Sequence, residues 1–139
     1  MKSIISSFFA LFLLLAAACS EAGRDYDSAL CESLAVKVER HDSITQKDYR
    51  QMIEQSEQIL GYLVGRSEHL TEMPADERYQ AYRELLADPQ YMERFSYLFT
   101  LGSALYDAEV TGRLDNKNRE AYDKLDEYNE RFSAISDRL

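Results

Sequence analysis

Tryptophan is absent from this 139-residue sequence, and cysteine, histidine and proline occur only twice each. Two cysteines are too few to build a disulfide framework. His41 and His69 have no second histidine or cysteine at the spacing of zinc ligands, so we interpret both as solvated residues of predicted loops. The five glycines form no phosphate-binding Gly-x-Gly-x-x-Gly or Walker pattern and no Gly-x-Ser-x-Gly elbow. The sequence therefore predicts no catalytic residues, no metal site and no cofactor.

Long apolar runs are also missing, except at the N terminus. Residues 4–18 are apolar apart from Ser6 and Ser7, and Lys2 precedes them. The stretch is shorter than the roughly 20 residues that a transmembrane helix needs. A short apolar core that follows a positive residue and ends in small residues is typical of a secretory signal peptide. We therefore expect a cleaved signal rather than a buried helix of the fold, and ordinary secretion with an Ala-x-Ala type cut is one form of it.

The end of this stretch, Leu15-Ala16-Ala17-Ala18-Cys19, resembles the lipobox of bacterial lipoproteins, although Ala16 stands where leucine is commonest. The resemblance implies that residues 1–18 are a lipoprotein signal peptide and that Cys19 carries diacylglycerol and an N-terminal acyl chain such as palmitate. Residues 19–24 then form a lipidated tether between the membrane and the domain. Because more than one acyl chain is needed for stable attachment, a triacylated Cys19 would hold the protein at the membrane. Ser20 implies sorting to the outer membrane of the cell envelope, and leaves open whether the protein faces the periplasm or the cell surface.

The charge of the chain is strongly negative, with a formal net charge of −9 at pH 7. Removal of residues 1–18 takes away Lys2 and leaves 15 basic and 25 acidic residues, a net charge of −10. Such a balance disfavours nucleic acid, whose binding depends on lysine and arginine at the phosphates. Anionic lipids repel it too, so the acyl chains must anchor the protein. A basic protein partner suits this charge.

The mature chain has the pattern of one helical domain, residues 25–139. Apolar residues recur at three- and four-residue spacing, and glycine and proline fall near the ends of the segments. The predicted helices cover about 25–40, 45–65, 74–87, 89–110 and 115–139. The short loop over 111–114 predicts an antiparallel hairpin of the last two helices. The predicted fold class is all-α, a bundle of four to five mostly antiparallel helices.

The fourth predicted helix carries the candidate site. Its apolar residues form two neighbouring stripes, and this width predicts a central helix in contact with several others. Gly102 leaves room for a close neighbour, and a possible ligand cavity there has Phe95, Phe99, Gly102 and Tyr106 as its lining. Cys31 remains the single thiol if Cys19 is lipidated, and we interpret it as a small buried apolar residue.

These patterns suggest three kinds of function, which we rank. The preferred hypothesis is a non-enzymatic protein-interaction module of the envelope, such as an immunity protein against an envelope toxin or an assembly factor, with a basic envelope protein as its partner. The alternative is a bundle that binds a small apolar ligand at the membrane surface. An enzyme with an unrecognised site ranks last, since the catalytic motifs are missing.

Overall fold

A computed structural model describes residues 25–139 of the chain. It contains five α-helices and a short 3₁₀ helix, namely α1 (Ser28–Glu39), α2 (Gln46–Ser67), the 3₁₀ helix (Glu68–Glu72), α3 (Ala75–Ala87), α4 (Pro89–Val110) and α5 (Asn116–Ser136). The predicted all-α bundle is confirmed. None of the helices in this range is long and apolar enough to cross a bilayer. The predicted signal peptide, the tether and the lipidated Cys19 lie outside the described residues.

Side-chain caps determine where the helices begin. Thr45 Oγ1 accepts a hydrogen bond from the Asp48 backbone N–H at 3.2 Å, and Asp48 Oδ2 accepts one from the Thr45 N–H at 3.0 Å. This reciprocal pair is a capping box. Asp88 caps α4, with Pro89 in the first turn, where the missing N–H leaves no helical bond unmade. Because such caps are visible in the sequence, the predicted helix boundaries lie close to the observed ones.

Two helices end with a residue in the left-handed backbone region. Gly112 follows α4 with φ of +68°, and His41 follows α1 with φ of +56°. In each case the next residue closes the turn, since the Arg113 N–H donates to the Ala108 carbonyl at 2.8 Å and the Asp42 N–H to the Lys37 carbonyl at 2.9 Å. These are Schellman ends, in which glycine is the usual residue. His41 therefore has a definite backbone role at the end of α1.

The helix with the most extensive packing is α2. The fourth helix, α4, contacts α1, α2 and α3, as predicted for a helix with several neighbours, but the expected burial of both of its stripes is wrong. Both α4 and α5 pack mainly on α2. Buried residues occur along the whole length of α2, from Tyr49 to Ser67. In α4 only one stripe is buried, whereas Phe99 and Tyr106 are 72% and 65% exposed. The second apolar stripe of α4 is unburied because α5 directs its own apolar face at α2 instead.

The directions of the helices follow from contacts at their ends. Lys37 of α1 pairs with Asp48 near the start of α2, while Asp27 before α1 contacts Gln55, so these two helices run antiparallel. The start of α5 is bonded to the start of α2, and Arg131 near its end pairs with Glu68. Consequently α2 and α5 run parallel. The sequential pairs α1–α2 and α4–α5 run antiparallel.

Polar contacts attach the start of α5 to α2. Asn118 is buried, and its Nδ2 donates to both the carbonyl and the side-chain oxygen of Gln46, each at 2.9 Å. Gln46 in turn donates to the Arg113 carbonyl at 2.7 Å and accepts from the Asp115 N–H at 3.0 Å. The loop between α4 and α5 is thereby bound to α2. This attachment keeps α5 against α2 and leaves it few close approaches to α4.

Apolar spacing in α3 does not lead to burial of every apolar residue. Tyr79 and Leu86 are 61% and 41% exposed, because this short helix buries only Leu85 fully. Asn129 of α5 is exposed as well. His69, expected in a loop, lies in the 3₁₀ helix. Cys31 is fully buried, as predicted.

Candidate functional site

A groove of about 560 Å³ separates α4 from α5. Ser56 and Leu60 of α2 lie at its floor. The α4 wall consists of Phe95, Leu98, Phe99, Gly102, Ser103 and Tyr106. The α5 wall includes Tyr122, Leu125, Asp126, Asn129, Phe132 and Ser133. A volume of this size falls within the range of ligand sites in proteins, which is roughly 300–1,000 Å³.

Two contacts across the groove mark its ends. The rings of Phe95 and Phe132 approach each other with centroids 6.4 Å apart. Toward the loop, Arg119 Nε of α5 lies 3.9 Å from Glu109 Oε2 of α4. Between them the walls run about 16 Å along α4, from Phe95 to Tyr106, at 1.5 Å per residue. The groove is therefore about three helical turns long.

The sequence-predicted cavity residues come together in this groove. Phe95, Phe99, Gly102 and Tyr106 all line it. The site is an open groove rather than an enclosed cavity, because Phe99 and Tyr106 are largely exposed. At Gly102 an added Cβ would have nothing within 4 Å, so the absence of a side chain widens the groove at this point. Sequence reasoning missed the whole α5 wall, since no local pattern shows which two helices stand apart.

The wall formed by α4 carries no charge over its central three turns. Between Arg94 and Asp107 the sequence contains only apolar, glycine, serine, threonine and tyrosine residues. An exposed uncharged surface of this length is unusual in a chain in which 29% of residues are charged. Contiguous exposed apolar patches in soluble domains commonly mark binding surfaces.

Ser56 is a buried polar residue on the groove floor. It is fully inaccessible to solvent, and its Oγ has no hydrogen-bond partner within residues 25–139. A buried hydroxyl without a partner costs roughly 1–3 kcal/mol. In the sequence this serine interrupts the apolar stripe of the second helix. The floor of the groove therefore covers a buried hydroxyl that lowers the stability of the domain.

The Tyr106–Tyr122 end of the groove lies close to several carboxylates. Burial raises the pKa of Tyr122, and the carboxylates of Asp126, Glu109 and Asp123 raise it further because they disfavour a phenolate nearby. Asp126 lines the groove and makes no ion pair with the described residues. The lining as a whole thus offers apolar contact, hydroxyl groups and one unpaired negative charge, which is chemistry suited to binding.

A second polar cluster surrounds Arg94, on the side of α4 away from the groove. Arg94 is only 6% exposed, and its Nη2 donates to both carboxylate oxygens of Asp25, at 2.9 and 2.7 Å. Its guanidinium carbon lies 4.0 Å from the ring centroid of Tyr62 and 4.6 Å from that of Tyr26. Sequence reasoning did not single out this arginine. Two tyrosine rings, Asp25 and the Gln90 carbonyl, to which Arg94 Nη1 donates at 2.9 Å, thus surround the guanidinium. Its Nε is buried without a hydrogen-bond partner among residues 25–139.

The remaining reactive groups lie apart from the groove. Cys31 is buried beside Gln55, and burial raises the pKa of its thiol to about 11. This thiol is therefore protonated at neutral pH and a poor nucleophile. His41 and His69 are both exposed and stand on different elements. Residues 25–139 contain no group of three or more histidine, cysteine, aspartate or glutamate residues arranged to hold a metal ion.

Comparisons with known proteins give no relative from which a role could be transferred. No protein-family model matches the chain. Searches of curated proteins and of solved structures likewise find no match. The functional argument therefore rests on the groove itself.

Proposed function

We propose that the protein is a lipid-anchored component of the cell envelope that binds a helix of a partner protein in the groove between α4 and α5. In this proposal the protein binds and does not catalyse, and it acts as an immunity or assembly factor. The observation that carries it is the exposed, uncharged wall of α4, with Phe99 72% exposed beside the groove. Cys19 holds the domain at the outer membrane.

The dimensions of the groove favour a helix as its occupant. Helix-in-groove recognition places an apolar face, repeating at three and four residues, between two walls of apolar side chains. The groove is open along one side and about three turns long, which matches a short amphipathic helix. Gly102 and Ser103 leave the middle of the α4 wall flat, so the backbone of a partner helix can approach closely there.

Site-specific crosslinking in intact cells tests this proposal. The photoreactive residue p-benzoylphenylalanine would replace Phe99 in the full-length protein expressed in its native host. We expect one predominant partner to be crosslinked, through a segment with amphipathic helical spacing. The same replacement at Tyr79 provides the control, because Tyr79 is similarly exposed but lies on α3 outside the groove. Equal capture from both positions would contradict the proposal.

A pair of glycine substitutions gives a second, matched test. Gly102→Leu fills the groove, whereas Gly61→Leu adds the same side chain to the exposed face of α2. Neither site has an atom within 4 Å of an added Cβ, so both variants should fold, and each gains up to about 1 kcal/mol of helix propensity. We expect Gly102→Leu alone to abolish the crosslink from Phe99. Retained crosslinking in that variant would place the partner elsewhere.

The anchor is tested separately from the groove. In Cys19→Ser the lipid attachment site is removed, so we expect the protein to leave the membrane fraction. Mass spectrometry of the N-terminal peptide should find a triacylated Cys19 in the wild type. A wild-type N terminus cut at another alanine and free of lipid would show ordinary secretion instead.

A small apolar ligand is the second candidate occupant, and two features of the groove favour it. Its volume of about 560 Å³ suits such a molecule, and Phe95, Leu98 and Phe99 on the α4 wall offer apolar contact. Native mass spectrometry of the protein purified from membranes under mild conditions distinguishes the two candidates. A constant added mass that is lost in Gly102→Leu and kept in Gly61→Leu would favour the ligand over the helix.

A further inference from the structure

The Tyr106–Tyr122 end of the groove has the same chemical components as the internal site of Arg94. In the internal site, a guanidinium lies over the rings of Tyr26 and Tyr62 and is bonded to the carboxylate of Asp25. At the groove end, two tyrosines and one aspartate again line a common space, formed by Tyr106, Tyr122 and Asp126. The groove end differs in that no cation of residues 25–139 occupies it.

The ion pairs and ring contacts of residues 25–139 show that none of their arginines fills this site. Other tyrosines have arginines over their rings, such as Arg131 over Tyr128 at 6.0 Å, but no described arginine lies over Tyr106 or Tyr122. The nearby cations of α5 have other neighbours. Arg119 lies 3.9 Å from Glu109, and Arg131 pairs with Glu68 at 2.6 Å.

The charge at this end of the groove also favours a cation. Asp126 lines the groove, is exposed and makes no ion pair with residues 25–139. Its carboxylate and that of Glu109 lie close enough to Tyr122 to raise the pKa of the phenol. A guanidinium that enters this end of the groove therefore meets an accessible carboxylate, and charge-assisted hydrogen bonds between such groups are the strong ones.

We propose that the Tyr106–Tyr122–Asp126 corner is a subsite for an arginine side chain of the partner helix, whose apolar face lies along Phe95, Phe99 and Phe132. This inference rests on the proposed function and specifies the partner. The guanidinium stacks on the exposed Tyr106 ring and pairs with Asp126, in the manner of Arg94 with Tyr62 and Asp25. The partner helix therefore has a fixed direction, with its basic residue toward the loop that joins α4 and α5.

A selection experiment on the mature full-length protein tests the subsite with a defined probe. The probe is a displayed library of peptides about four helical turns long, with leucine fixed along one face and arginine, glutamate, glutamine or serine allowed elsewhere. We expect recovered peptides to carry arginine near one end and to lose binding to Gly102→Leu. Asp126→Asn should weaken the best of them at least about tenfold.

The acidity of the whole protein requires a charge-matched control, because non-specific attraction alone would also enrich arginine. Glu77→Gln removes one negative charge from the exposed surface of α3, away from the groove, and should leave peptide affinity within about twofold. Asp126→Lys should shift the recovered peptides from arginine to glutamate at the same end, whereas Glu77→Lys should not.

The outcomes distinguish failure of the arginine subsite from failure of helix binding in the groove. Peptides that depend on Gly102 but show no preference for arginine would overturn the subsite and leave groove binding in place. Equal weakening by Asp126→Asn and Glu77→Gln would also overturn the subsite, since it would reduce the effect to net charge. Recovery of no peptide that depends on Gly102 would overturn both proposals.

Discussion

Arg94 and Asp25 connect the first described residue of the chain to α4, 69 residues away in sequence, through hydrogen bonds of 2.9 and 2.7 Å. The arginine is buried between two tyrosine rings, while the side chain of Asp25 is 62% exposed. The cation is thus held inside the bundle and its counter-charge lies at the surface. The start of the domain is attached at this point, directly after the predicted lipidated tether.

The first prediction concerns this ion pair. Asp25→Asn removes the counter-charge and leaves a buried guanidinium, so we expect the free energy of unfolding to fall by about 1–2 kcal/mol. Urea unfolding measures this change. Glu32→Gln, an exposed position of α1 with no ion pair among the described residues, should change it by less than about 0.5 kcal/mol. An equal change in the unfolding free energy for the two substitutions would show that the Arg94–Asp25 pair stabilises the fold no more than an unpaired surface charge does.

The second prediction concerns Ser56. Ser56→Ala removes a buried hydroxyl that has no partner within residues 25–139 and keeps the helix, so we expect an increase of about 1 kcal/mol in the free energy of unfolding. Ser67→Ala is the comparison, because the equally buried Ser67 Oγ donates to the Leu63 carbonyl at 2.7 Å. A loss of stability in Ser56→Ala measured by urea unfolding would mean that a water molecule satisfies this hydroxyl.

The third prediction concerns the two left-handed helix ends. Gly112→Ala places a Cβ in a region that disfavours it and should lower the unfolding free energy by about 1 kcal/mol. His41→Gly makes the opposite change at φ of +56° and should raise it by several tenths of a kcal/mol or more. Thermal unfolding of both variants measures these shifts, and shifts of the same sign would contradict the prediction.

The fourth prediction is a loss of stability at alkaline pH. Burial raises the pKa of Cys31 from 9.0 to about 11 and that of Tyr91 from 10.0 to about 12. Below about pH 8 both groups are almost fully protonated in the folded and the unfolded chain, so their contribution to the free energy of unfolding is complete. As the pH rises further, the unfolded chain ionises first, and the contribution of Cys31 falls until its folded pKa is reached. At pH 10 this loss amounts to roughly 1 kcal/mol.

The measurement for this prediction is urea unfolding between about pH 8 and pH 10. Cys31→Ala removes the thiol, so the unfolding free energy of the variant should fall less steeply with pH than that of the wild type. Tyr91 and the other tyrosines with a raised pKa remain in both proteins and give the residual slope; these others are Tyr26, Tyr97 and Tyr122. Identical slopes would show that Cys31 does not ionise differently in the two states.

Much of the fold could be predicted because helix starts are encoded locally. Thr45, Asp88 with Pro89, and Asp115 all cap helices near the predicted starts, since a cap requires only the residues within one turn. The second stripe of α4 could not be placed in the same way. An apolar residue such as Phe99 shows that a surface is apolar, but its burial depends on which distant helix packs there.

Two buried polar residues were missed for a related reason. Tyr91, Arg94, Leu101 and Leu105 follow the spacing of one buried face, although a charged residue such as Arg94 is rarely buried unless it is paired. Asn118 lies seven and fourteen residues before Leu125 and Phe132, which are buried on the same face. In both cases the spacing of the neighbouring buried residues indicated a buried position. The polar partners that permit burial, Asp25 and Gln46, are remote in sequence.

The last prediction compares two phenylalanines on opposite walls of the groove. Phe132 is 7% exposed and Phe99 is 72% exposed. Phe132→Ala should therefore cost about 3–4 kcal/mol through lost burial and a new cavity. Phe99→Ser should change the unfolding free energy by less than about 0.5 kcal/mol and yet abolish binding of the partner helix. Such a separation of stability from binding is expected only if Phe99 is exposed in order to make contact with another molecule. A large loss of stability in Phe99→Ser would instead assign this side chain to the core and remove the α4 wall as a binding surface.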